Sequence, residues 1–120
     1  EANVFCYKAS CYETAIQLAK RFNLKKEDFT VAFQSRLGKG WIEPFSDEII
    51  EERAKKGDKK LLIFSPAFVA DCLETTIEIG VEYQEIFEEH GGEKVQLVES
   101  LNDSDTWVKC LQKMVLKRSI

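Results

Sequence analysis

Histidine is nearly absent from this sequence: His90 is its one histidine, and the four cysteines (Cys6, Cys11, Cys72 and Cys110) are scattered with no C-x-x-C among them. A Ser-His triad therefore has no base except a distant one, and neither a thiolate–imidazole metal cage nor a disulfide framework has the spacing it needs. The thiols read as reduced, as in a cytoplasmic protein. Cys6 and Cys11 offer two ligands of an iron–sulfur set whose other members are missing, so a 2Fe–2S cluster is the disfavoured alternative. His90, at the end of a helical pattern, reads as a charge-complementing cap. Also lacking are G-x-G-x-x-G after a strand, G-x-x-x-x-G-K-[ST] and G-x-S-x-G, so neither a nucleotide site nor a serine hydrolase is signalled. No apolar run approaches a membrane span and no secretory leader is visible, so membrane association is not indicated. The formal net charge is −4, and the lysines fall in short pairs (Lys25-Lys26, Lys55-Lys56, Lys59-Lys60), which leaves no basic face for nucleic acid.

One local absence is more informative. Between Ser65 and Gly92 there is no lysine or arginine, while the stretch holds seven of the 21 acidic residues. At about 100° per residue, Asp71, Glu74, Glu78, Glu82, Glu85 and Glu89 fall within an arc of roughly 80° of one helix. Phe68, Cys72, Ile79, Tyr83 and Ile86 fill another arc, so the helix is amphipathic with one anionic face. Like charges at i,i+4 oppose a helix by about 0.2–0.5 kcal/mol per pair, and no cation here offsets them. A solvated face is one reading of this stripe. A weakly held divalent cation is the other, because oxygen ligands suit hard or borderline ions.

With 120 residues and 44% hydrophobic content, residues 1–120 make a single domain with one core. Glu1 in place of a methionine points to a fragment or a processed product. Ser10 to Glu13 has the form of a capping box ahead of a helix over residues 10–23. Phe29–Phe33 reads as a strand, and Leu37–Pro44 as a glycine-bearing loop around Trp41. Ser46 caps a helix that stops at Gly57. Lys60–Phe64 is a strand buried on both faces, and Ser65-Pro66 opens the acidic helix directly from it. Val95–Val98 is a third strand, and Asn102, Asp103 or Ser104 caps a last helix containing Trp107, Leu111 and Met114. Helices alternating with strands predict an α/β fold, three-layer α/β/α around a small parallel sheet. A partner domain or subunit would help to cover so small a sheet.

In such sheets ligands bind beyond the carboxyl ends of the strands. The loops Gln34–Pro44, Ser65–Asp71 and Glu99–Asn102 gather there and bring together Gln34, Ser35, Arg36, Trp41, Asp71, Glu74, Ser100 and Asn102.

Three of these segments, F-Q-S-R-L-G-K-G-W-I-E-P-F-S-D-E, S-P-A-F-V-A-D-C-L-E-T-T-I-E-I and E-S-L-N-D, resemble the carboxyl-terminal half of the ferrochelatases, the enzymes that insert iron into porphyrin in haem synthesis. The resemblance spans about residues 8–117. It implies a Rossmann-like half-domain, with the amino-terminal half missing and the porphyrin cleft lying between the two halves. Porphyrin and ferrous iron are then substrates, and no cofactor is required. The family's Asp-His-hydrophobic-Glu-Thr motif falls on Asp71 to Thr75, with Cys72 at the histidine position. Glu74 and Asp71 are thereby implied as catalytic, and Glu74, Glu78 and Glu82 as metal-facing on a helix that in this family contains a π-turn. Gln34, Ser35 and Trp41 are implied as porphyrin-binding, and Arg36 is expected to pair with a propionate. Burial and neighbouring acids are expected to raise the pKa of Glu74. The isolated chain is expected to be inactive, because the family's metal-facing histidine belongs to the missing half and His90 does not align with it. Two other readings stand beside this one. One is a non-catalytic tetrapyrrole- or metal-binding half-domain. The other is a small homodimeric chelatase, against which the shortage of histidines counts.

Overall fold

In the computed structural model, which describes residues 5–36 and 38–118, the core lies on one face of a two-stranded parallel sheet. β1 (Lys60–Ile63) and β2 (Lys94–Leu97) pair in register, Leu61 beside Val95 and Ile63 beside Leu97. Those four side chains point to the packed face, as the alternation of a strand requires. Lys60, Leu62, Lys94 and Gln96 share the other face and are exposed, Leu62 at 71%. That open face is the one for which a partner domain or subunit is expected.

The α/β class with a small parallel sheet stands, but the sheet has two strands where three are expected. Residues 29–33 do not form a strand. Only Phe33 pairs, in a single parallel bridge to Phe45, through Phe33 N–H to the Pro44 carbonyl (2.9 Å) and Ser46 N–H to the Phe33 carbonyl (3.0 Å). Its partner is the approach to the next helix rather than β1, so the β-branched run has no ladder to join. Leu37, the first residue of the expected loop, lies outside the described residues.

Among the described residues four α-helices accompany the sheet: α1 (Tyr7–Arg21), α2 (Ser46–Lys55), α3 (Tyr83–Glu89) and α4 (Asp105–Arg118). The expected capping box at Ser10 is absent. α1 begins three residues earlier, and the Ser10 hydroxyl donates back to the Cys6 carbonyl (3.3 Å) from inside the helix. Ser46 likewise starts α2 from within, with no side-chain cap. Asp47 and Glu48 in the first turn and Arg53 and Lys55 in the last oppose the α2 dipole. Gly57, at φ +100°, turns the chain towards β1.

The acidic stretch departs most from the expected form. Ser65–Phe68 closes as a turn (Phe68 N–H to Ser65 carbonyl, 3.0 Å), and no helix forms until Leu73. Proline at the second position of a turn is as favourable as at the first turn of a helix, so Ser65-Pro66 alone does not decide between them. Glu74–Glu82 is then a π-helix of nine residues, which passes into α3. Ile79 from the π-helix, Tyr83 and Phe87 from α3, Ile50 and Ala54 from α2 and Val95 from β2 make the core. Phe87 is fully buried, a contribution of about 1.5–3 kcal/mol. A β-carbon on Gly92 would sit 2.2 Å from its ring, so the turn out of α3 needs glycine there. Gln84 fastens α3 to β2, its Oε1 accepting from Val95 N–H (2.7 Å) and its Nε2 donating to the Glu93 carbonyl (3.2 Å).

Candidate active site

A cavity of about 440 Å³ opens beside the π-helix, lined by Gln34, Ser35, Arg36, Asp47, Phe68, Glu74, Glu78, Glu82, Tyr83 and Ile86. Six expected site residues therefore meet in one place: Gln34, Ser35, Arg36, Glu74, Glu78 and Glu82. The three glutamates would share a face in an α-helix too, and the π-helix Glu74–Glu82 aligns them more closely. Its i→i+5 hydrogen bonding widens the turn beyond the roughly 3.6 residues of an α-helix, so side chains four apart stack nearly along the axis. Glu85 and Glu89, beyond the register change, are exposed and do not line the cavity.

The amino end of the π-helix is fixed by its own side chains. The Thr75 hydroxyl, fully buried, accepts from Cys72 N–H (2.9 Å) and donates to the Cys72 carbonyl (3.0 Å), and the Thr76 hydroxyl donates to the same carbonyl (2.9 Å). Gln34 reaches across from its loop, Nε2 donating to the backbone carbonyl of Glu74 at 2.8 Å.

Glu74 does not have the raised pKa expected of it. Its side chain is exposed, and its own backbone N–H and then Cys72 hold the carboxyl below the usual glutamate range. In the chain as it stands, Glu74 is an ionised carboxylate facing the cavity. Glu78 accepts from the Tyr83 hydroxyl at 3.2 Å. Burial, followed by the Glu78 charge, pushes the Tyr83 phenol well above its ordinary pKa, so it remains a donor.

Arg36 is the one basic residue among those lining the cavity. Its Nη2 pairs with Asp47 at 3.3 Å and Glu48 at 2.7 Å, and its guanidinium stacks over Phe45 at 3.9 Å from the ring centroid. Two carboxylates thus neutralise it, and the field of the cavity stays negative. Among the described residues no three His, Cys, Asp or Glu side chains converge closely enough to hold a metal ion.

Two expected site residues stand apart. Trp41 is 41% exposed and outside the cavity lining. Asp71, ahead of the π-helix rather than on it, is also outside the lining and bonds to Asn102. Asp47, Phe68, Tyr83 and Ile86 were missed. Phe68, Tyr83 and Ile86 sit on the arc that α-helical geometry assigns to the core, and only a wider turn brings Tyr83 next to Glu78. The acid pair that opens α2 was the one sequence signal for Asp47. The four cysteines are free thiols, Cys6 exposed and the others half-buried. Among the described residues, no helix is long and apolar enough to cross a membrane.

The ferrochelatase family model matches residues 1–119. A ferrochelatase of Legionella pneumophila is 47% identical over 116 residues, 96% of this chain and 35% of that protein. One of Coxiella burnetii is 46% identical over 117 residues, 97% of this chain and 33% of that protein. The chain spans about a third of the length of these curated relatives. It belongs to the ferrochelatase family.

Proposed function

We propose that the chain supplies one wall of a porphyrin-metallating site in a longer enzyme, which inserts Fe²⁺ into protoporphyrin or coproporphyrin. The observation that carries this reading is the file of Glu74, Glu78 and Glu82 along one side of a single cavity, in a chain of the ferrochelatase family. Insertion needs three things: a hydrated ion must shed water, two pyrrole N–H protons must leave, and the ring nitrogens must become accessible. Glu82 and Glu78 meet the cation one carboxylate at a time and pass it inward along the cavity wall. Glu74, ionised and at the glutamate position of the family motif, is the proton acceptor. A ring laid over the cavity desolvates the Glu74 carboxylate and raises its pKa, so that it accepts the pyrrole protons one at a time.

Phe68 and the more distant Trp41 offer apolar surface to the macrocycle. Arg36 pairs with a propionate by exchanging a carboxylate it already holds. Glu48, the more exposed partner at 63% against 43% for Asp47, is the one that yields. The reading is tested by metallation of porphyrin with Fe²⁺, followed by absorbance. The full-length enzyme is expected to turn over, and the isolated chain to bind porphyrin weakly and leave it metal-free. Turnover by the isolated chain at the full-length rate would favour a small self-pairing chelatase instead.

A further inference from the structure

Both carboxylate oxygens of Asp71 are engaged away from the cavity. Oδ2 accepts from Asn102 Nδ2 at 2.8 Å, and Oδ1 accepts from Ser100 N–H at 3.2 Å. Asn102 completes the exchange, its Oδ1 accepting from Asp71 N–H at 2.9 Å and its own N–H donating to the Val69 carbonyl at 2.9 Å. Asn102 holds φ +46°, in the left-handed region that asparagine tolerates better than most side chains. Four bonds thus tie residues 69–71, just ahead of the π-helix, to residues 100–102, just past β2. Glu74 is three residues further on, and Gln34 holds its carbonyl. A proton acceptor should face the substrate space, as Glu74 does; Asp71 faces its partner loop.

We infer that Asp71 and Asn102 form an interlocking acid–amide clasp that fixes where the π-helix begins and so aims Glu74 into the cavity. Asp71 is then a positioning residue, not a second catalytic carboxylate as its place in the motif implies. The inference rests on the reading of Glu74 given above, and it separates two roles that sequence leaves merged. A relay carboxylate must stay at its own position. A clasp needs one acid and one amide, and either arm can carry either.

The test is a reciprocal exchange in the full-length enzyme, with turnover normalised to porphyrin-binding sites so that only folded enzyme counts. Asp71→Asn sets amide against amide, and Asn102→Asp sets acid against acid. Each is expected to lower kcat by about 10²-fold through misplacement of Glu74, with KM for porphyrin little changed. Combining the two rebuilds all four bonds with the charge on the other loop, and is expected to regain about tenfold or more over either single variant. Asn102→Gly keeps the left-handed backbone and the Asp71 carboxylate but removes the clasp, and is expected to lose about as much as Asp71→Asn. A combined variant no better than Asp71→Asn, or near-normal turnover by Asn102→Gly, overturns the clasp. Glu74→Gln, measured alongside, keeps the two claims apart. Normal turnover there removes the functional reading, whereas an inactive Glu74→Gln with no rescue by the exchange removes only the clasp.

Discussion

Tyr83 donates its hydroxyl proton to Glu78 across 3.2 Å, and the two residues are five apart in sequence. In an α-helix that spacing points the side chains apart; the wide turn ahead of Tyr83 brings them together. The phenol is 4% exposed, so it can hold Glu78 towards the cavity without competing for solvent. Tyr83→Phe is expected to cost about 0.5–1.5 kcal/mol in denaturant unfolding. It should also remove the late phase of alkaline phenolate absorbance, because the folded-state pKa lies above the unfolded one of about 10. Burial of the neutral phenol, beside the Glu78 charge, therefore favours the fold below that pH, and this contribution is lost as pH rises through and past it. An unchanged alkaline titration in Tyr83→Phe would contradict the assignment.

Thr75 anchors the first turn of the π-helix through a fully buried hydroxyl. Thr75→Val preserves the shape and strands the Cys72 N–H. A loss of about 1–3 kcal/mol is expected, the cost of an unsatisfied buried donor. Amide hydrogen exchange at Cys72 should accelerate in step, which a simple packing defect elsewhere would not produce.

Gly92 lies against the Phe87 ring, where a methyl group would clash at 2.2 Å. Gly92→Ala should cost about 1–3 kcal/mol by overpacking. Gly91→Ala suffers from backbone strain instead, since Gly91 has φ +96° and open space around it. Following Gly92→Ala with Phe87→Leu should recover part of the loss for the first variant and none for the second.

Asn102 first, then Ser100, hold the Asp71 carboxyl below its ordinary pKa. A depressed folded-state pKa stabilises the fold above the unfolded value of about 4, and that contribution is lost as pH falls through the folded one. Urea midpoints should therefore fall faster with acid in the wild type than in Asp71→Asn, and the gap between them should close below about pH 4. A gap that stays constant from about pH 7 to about pH 3 would mean that the carboxylate is not engaged as described.

The sequence anticipated the cavity lining better than the sheet. Gln34, Ser35, Arg36, Glu74, Glu78 and Glu82 were legible because loop position, charge and motif all converge on them, and they do line one cavity. Phe29–Phe33 misled because β-branched and aromatic residues report a fit to a pleated surface, not the presence of a neighbouring strand. Ser65-Pro66 misled because its geometry serves a turn and a helix start equally. The roles of Asp71 and Trp41 depend on where their loops fold, and neighbours 31 residues away, such as Asn102, leave no periodic trace. Periodicity at 100° per residue could not anticipate Tyr83 beside Glu78, because the helix there does not keep that period.

The most direct measurement is Fe²⁺ insertion by the full-length enzyme carrying Glu74→Gln, with porphyrin binding followed in the same samples. The account predicts porphyrin affinity close to wild type and a fall in kcat of about 10²–10⁴-fold, the range for loss of a positioned proton acceptor. Near-normal turnover with intact binding would contradict it, and would move the chemistry away from the carboxylate at the head of the π-helix.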